Sequence, residues 1–134
     1  MLPTGWLCRE HLLGEHGEVH QLAGTMANHP HGLAVIEGLA DGYPLDMALL
    51  PQRHAELAAE MGARGYDHDS GLQDYEDPGL GSFEADDVRA NLAGLLRRCP
   101  DCAERYARDD HAEYRLGSRI RFVGRFDPAA VSVR

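Results

Sequence analysis

Proline placement constrains this chain more than any other feature. The stretch between Pro3 and Pro30 contains no proline, and because proline breaks a helix interior, this is where a long helix can run uninterrupted. Leu7, Leu12, Leu13, Val19, Leu22, Ala23 and Met26 recur there at roughly helical spacing, which predicts a first helix from about Gly5 to Asn28. Gly14, Gly17 and Gly24 weaken it by up to about 1 kcal/mol each relative to alanine. Glycines retained at that cost point to close packing or to an approaching ligand.

The remaining prolines set out the other elements. Pro30 opens a second, shorter helix carrying Leu33, Val35, Ile36, Leu39 and Ala40, closed by Asp41-Gly42. A third follows Pro44 in two parts, with Pro51 either kinking it or beginning its main segment; His54, Leu57, Ala58 and Met61 share one face, and Gly65 ends it. The acidic, turn-rich run between Gly65 and Ser82 reads as a solvated loop. Ser82 is placed to cap a fourth helix, with Glu84, Asp86 and Asp87 at its positive end and Arg97 and Arg98 at its negative end. After Pro100 a short fifth helix is expected from about Asp101 to Arg108. Beyond it, SRIRFVGRF alternates in the period of a strand. One strand is not stable alone, so it must pack on the helices, pair with another copy or remain a loose tail. The expected fold is all-α: a compact single domain of four to five helices over residues 1–108, followed by an extended Arg-rich tail, residues 109–134, packed on it or loosely ordered.

Length and composition bound the class. A chain of 134 residues with 43% apolar content builds one core rather than two full domains. No run approaches the roughly 18 apolar residues of a membrane span, and the first residues lack a signal-peptide pattern. A soluble cytoplasmic protein without membrane partners is expected, with Cys8, Cys99 and Cys102 reduced. Acids outnumber bases 22 to 13, every base is arginine, and the net charge is −9. Such a balance repels phosphates. A hypersaline interior, where screening acts over about 3 Å at 1 M salt, or a GC-rich genome would each account for it. The charge is uneven: Arg115, Arg119, Arg121, Arg125 and Arg134 face a single acid, Asp127, at the C-terminal end. That run suits phosphate contact, a solvated strand edge, or self-association through residues 115–126.

The densest polar constellation is LCREHLLGEHGEVHQL, residues 7–22. On a helix His11, Glu15 and Glu18 form one stripe, and His16 and His20 form a second pair four residues apart. The plain reading is a wet helix edge with local hydrogen bonds. Cys99-Pro-Asp-Cys102 has the spacing of half a zinc site or of a redox pair, with His111 as a third ligand and Cys8 or another histidine as a fourth. Thiols at a helix junction are the plain alternative. His11, Glu15, Glu18, His54 and His68 form another set that could gather a divalent metal between helices.

The run Leu7 to Glu18, followed by Asn28-His29-Pro30, Arg53-His54-x-Glu56-Leu57, Glu60-Met61 and Arg64-Gly65-Tyr66-x-His68-x-Ser70, resembles the pyrimidine dimer DNA glycosylase family, typified by a phage endonuclease V. The similarity covers about Leu7 to Leu72. The resemblance implies a DNA repair glycosylase with abasic-site lyase activity on damaged double-stranded DNA, needing no cofactor and no metal. It implies that an N-terminal α-amine attacks the sugar and forms a Schiff base, a task suited to a reference pKa of about 7.7 to 8.0. In the sequence as written that amine is the one on Met1, because Leu2 is too bulky for ordinary removal of the initiator methionine. By motif position the proton-handling carboxylate is Glu18, and Arg9, His11, His16 and Arg53 are the expected DNA contacts. The family carries arginine just before the glutamate, where this chain has Gly17. A family-derived binding or assembly protein without catalysis, or a metal-binding helical protein, are the alternatives.

Overall fold

A computed structural model describes residues 2–41, 45–81, 84–109, 113–116 and 120–123. Its architecture is helical, as expected: α1 (Arg9–Asn28), α2 (Gly32–Ala40), α3 (Leu50–Ala63), α4 (Ala85–Arg98) and α5 (Pro100–Arg108), with short 3-10 turns at Thr4–Trp6 and Met47–Leu49. Two four-residue strands, β1 (Glu113–Leu116) and β2 (Ile120–Val123), follow. The chain divides into two compact units, one formed by Met1–His11 with Glu84–Arg134 and the other by Leu12–Phe83.

In the first unit the N-terminal residues depart from the expected long helix. Thr4–Trp6 form a 3-10 turn, Leu7 is extended, and α1 begins only at Arg9. Side-chain burial explains the break: Trp6 and Leu7 are both buried, Trp6 meets Tyr106 of α5 edge-on at 4.8 Å, and Arg105 donates to the Gly5 carbonyl. A continuous helix would give up these anchors. Helix α4 is capped by Glu84, whose side chain accepts from the backbone of Asp87 while the Asp87 carboxylate accepts from the Glu84 N–H at 3.1 Å. This reciprocal box satisfies two orphan amides; the expected cap, Ser82, lies outside the described residues. Asp86 and Asp87 sit at the positive end of α4, and Arg97 and Arg98 at the negative end. Cys99 ends α4 and caps α5, with Pro100 in the first turn of α5, where its missing N–H costs nothing. Val88, Leu92, Leu95 and Tyr106 are buried in this unit. The strand expected within SRIRFVGRF is β2, and it pairs antiparallel with β1 of the same chain, Arg115 opposite Arg121 and Tyr114 opposite Phe122. The partner strand lay unread just upstream. The expected third zinc ligand, His111, lies outside the described residues.

The second unit contains most of α1, together with α2 and α3. Leu12, Val19 and Ala23 of α1, Ile36 of α2, and Leu50, Leu57 and Met61 of α3 are buried. The glycine that permits close approach is not one of those predicted. A Cβ on Gly14 or Gly17 would meet nothing within 4 Å, whereas one on Gly32 would lie 2.5 Å from the Thr25 carbonyl oxygen and 3.2 Å from the Met26 Cα. Gly32 therefore lets α2 start against the last turns of α1. Asp41 closes α2 in the left-handed region, with φ of 47°. Pro51 begins α3 rather than kinking it. Gly65 follows α3 with φ of 83°, and the Tyr66 N–H reaches back to the Met61 carbonyl at 2.9 Å, the closure that glycine makes cheap. Residues 66–81 carry no regular secondary structure. They are tied down by a reciprocal amide pair between Asn28 and Gln73 at 2.8 and 2.9 Å, and by the Tyr75 hydroxyl donating to the Met47 carbonyl. Among the described residues, no helix is long and apolar enough to cross a membrane.

Candidate functional site

Helix α1 distributes its polar residues to three environments. Glu18 is exposed and has no hydrogen-bond partner among the described residues. Glu15, one turn earlier, is fully engaged: its two oxygens accept from Nε and Nη2 of Arg53 at 2.7 and 2.8 Å, and Arg53 also donates to Glu56 at 3.1 Å. Arg53 is 1% exposed. A buried guanidinium is tolerable only when its fork is matched by carboxylates. Both acids supply that match, and the Arg53 side chain, the expected DNA contact, joins α3 to α1. Arg9 is exposed at the start of α1. Met1, the expected source of the amine, lies outside the described residues.

His16 and His20, the pair read from the helix spacing, meet His54 of α3 and His68 of the irregular segment. His20 Nε2 lies 3.2 Å from His16 Nε2 and 3.1 Å from His54 Nε2. The His16 ring stacks on His54 at 5.3 Å between centroids and meets His68 edge-on at 4.8 Å. One ring nitrogen offers either a proton or a lone pair, so His20 Nε2 does not make two full hydrogen bonds at once. His68 Nε2 is buried and has no hydrogen-bond partner among the described residues. Burial first, then the charges of His20, His68 and His54, holds His16 below the ordinary imidazole range. Burial and the same neighbours, His20 and His68, do so for His54, against a contrary push from a backbone hydrogen bond at Ser70. Imidazoles with converging nitrogens are good ligands for a metal ion. The four ligand nitrogens lie within 4.8 Å of one another. His54 and His68, expected beside His11, Glu15 and Glu18, instead join His16 and His20. Glu15 is committed to Arg53, and His11 belongs to another cluster.

That cluster is in the first unit. Cys8 directly precedes α1 and His11 sits in its first turn, while Cys99 directly precedes α5 and Cys102 sits in its first turn. Both pairs thus straddle a helix start with the same spacing of three. Cys8 Sγ is 3.1 Å from His11 Nδ1, Cys102 Sγ is 3.5 Å from the same nitrogen, and Cys99 Sγ is 3.9 Å from Cys8 Sγ. Two backbone amides donate to sulfur, Cys8 N–H to Cys102 at 3.2 Å and Cys102 N–H to Cys99 at 3.4 Å. The Cys8 thiol also faces the Glu10 carboxylate at 3.9 Å. Burial raises the Cys99 thiol, but hydrogen bonds from Cys102, Cys8 and Asp101 outweigh it and bring it below the usual range. Cys102 is pushed up to about 12, chiefly by burial. The three cysteines are free.

The family model described as pyrimidine dimer DNA glycosylase matches residues 2–74, more than half of the chain, and the chain belongs to that family. Comparison with curated proteins and with solved structures returns no match. The matched segment holds Glu18, the Glu15–Arg53 pair and all four histidines of the second cluster, together with Cys8 and His11. Cys99 and Cys102 lie beyond it.

Proposed function

We propose that this protein processes damaged DNA as a glycosylase with an associated abasic-site lyase step. A backbone α-amine forms the bond to the sugar C1′ as the bond from C1′ to the damaged base breaks. The departing base takes the electron pair, and ring opening leaves an imine between amine and sugar. Glu18 handles the protons of these steps and stabilises positive charge developing on the sugar. The observation that carries the reading is the contrast on α1: within the family-matched segment Glu15 is spent on Arg53, while the Glu18 carboxylate is exposed and unpartnered. Arg9 is the proposed phosphate contact. Gly17 supplies no grip beside the glutamate, so binding leans on few cations and should weaken steeply with each one removed.

The test is to incubate the protein with duplex DNA carrying a cyclobutane dimer or an abasic site and to reduce with borohydride. A covalent adduct that Glu18→Gln reduces at least 100-fold is expected. Failure of the unsubstituted protein to yield any adduct on either substrate overturns the reading.

A second reading rests on the histidine cluster. His68 Nε2 is buried without a partner among the described residues and the Nε2 atoms of His16, His20 and His54 converge, which supports binding of a divalent transition metal by imidazoles. Titrating the protein with nickel or copper while following the imidazole resonances checks it. Ring signals of all four histidines unchanged at one equivalent would dismiss it.

A further inference from the structure

We infer that Cys8, His11, Cys99 and Cys102 form a closed structural zinc site. The inference stands independently of the glycosylase reading and of the histidine cluster. It rests first on the edges of the ligand polyhedron. Four ligands at about 2.3 Å for sulfur and 2.0 to 2.1 Å for nitrogen around a tetrahedral centre place sulfur atoms about 3.8 Å apart and sulfur and nitrogen about 3.6 Å apart. The Cys8–Cys99 sulfur pair stands at 3.9 Å, and His11 Nδ1 stands 3.1 and 3.5 Å from the sulfurs of Cys8 and Cys102. All four atoms lie within 4.8 Å of one another. Three of the six edges thus stand within about 0.5 Å of those a zinc tetrahedron requires, and the others do not exceed 4.8 Å.

Second, the backbone is aimed at the sulfurs: the Cys8 N–H donates to Cys102 and the Cys102 N–H to Cys99, and each ligand pair sits at a helix start. Third, the alternatives are poorer. All three cysteines are free, and at 3.9 Å the Cys8–Cys99 sulfur pair lies far outside the roughly 2.05 Å of a disulfide. Three thiols and an imidazole around one buried point satisfy each other only partly by hydrogen bonds. Three cysteines and one histidine complete a four-coordinate shell with no open position, the mark of a structural rather than a catalytic site. Within its unit the ion would tie the N-terminal segment and the start of α1 to the α4–α5 junction.

The experiment is elemental analysis of the native, untagged protein, with X-ray absorption at the zinc edge. About one zinc per chain with a shell of three sulfurs and one nitrogen is expected. Cys99→Ser and Cys102→Ser should lower zinc content at least tenfold, while His29→Ala, an exposed histidine outside both clusters, leaves it unchanged. Because the cysteine variants can fail to fold, thiol reactivity is measured on the unsubstituted protein as well: its three cysteines should react slowly with an aromatic disulfide reagent and at least ten times faster after chelation. A metal-free native protein that takes up no added zinc overturns the inference. So does zinc bound through nitrogen alone, or three thiols that react equally fast with and without a chelator.

Discussion

Replacing Arg53 with methionine tests the internal logic of α1 and α3 most directly. Methionine retains much of the buried volume but removes three charge-assisted hydrogen bonds, two to Glu15 and one to Glu56. Breaking a buried ion pair on one side costs about 3–5 kcal/mol when the stranded partner stays buried. Here the partners are not fully buried: the side chains of Glu15 and Glu56 are 24% and 27% exposed, so both acids regain part of their hydration by rotating outward. The expected loss is therefore about 2–4 kcal/mol. With about 2.1 cal/mol/K of unfolding entropy per residue over 134 residues, a loss near the middle of that range lowers the Tm by about 10 °C. Urea unfolding followed by circular dichroism supplies the free energy, with an unchanged slope establishing that the comparison is valid. Adding Glu15→Gln to Arg53→Met should cost little more, because the stranded charge is then gone. A loss below about 0.5 kcal/mol in the single variant would refute the assignment of Arg53 as the lock between the two helices.

Two further predictions concern the same unit. Gly32→Ala places a Cβ 2.5 Å from the Thr25 carbonyl oxygen and should destabilise by about 1–3 kcal/mol through overpacking, whereas Gly17→Ala, with open space around it, should stabilise by up to about 1 kcal/mol; paired thermal melts decide both, and a neutral Gly32→Ala would contradict the close approach of α2. His16 and His54 are held below their ordinary value of 6.5, mainly by burial, so the unfolded chain binds more protons than the folded one just below that pH and stability must fall as pH drops through 6.5. Urea midpoints at pH 7.5 and 5.5 measure the fall, and His54→Gln should lessen it; identical slopes in both proteins would remove the cluster as its source.

The sequence carried the elements whose causes are local. The proline-free stretch contained α1, Pro51 marked the start of α3, Gly65 its end, and Cys99-Pro100 the junction between α4 and α5. Errors arose where a distant contact decided the outcome. Trp6 and Leu7 left the helical path because Tyr106 and Arg105 offer anchors a hundred residues away. The same division holds for the functional residues. The i, i+4 pair His16–His20 and the Cys99–Cys102 pair were visible, as was Cys8 as a fourth ligand. That His11 would turn toward the thiols, that His54 and His68 would join His16 and His20, and that Arg53 would consume Glu15 are tertiary facts that no spacing rule contains. The one usable signal was repetition: Cys8-x-x-His11 and Cys99-x-x-Cys102 share a spacing and each straddles a helix start.

Between its backbone ties at Tyr66 to Met61 and Leu80 to Leu45, the irregular segment 66–81 is attached through side chains, His68 and Ser70 toward the histidines, Gln73 on Asn28, Tyr75 on Met47. Lacking a backbone ladder, it has no cooperative element of its own to melt, and its amides should exchange with solvent well before those of α1 and α3. Whatever gathers the four imidazoles would act as a clasp on that segment, converting local occupancy into protection of a stretch several turns long.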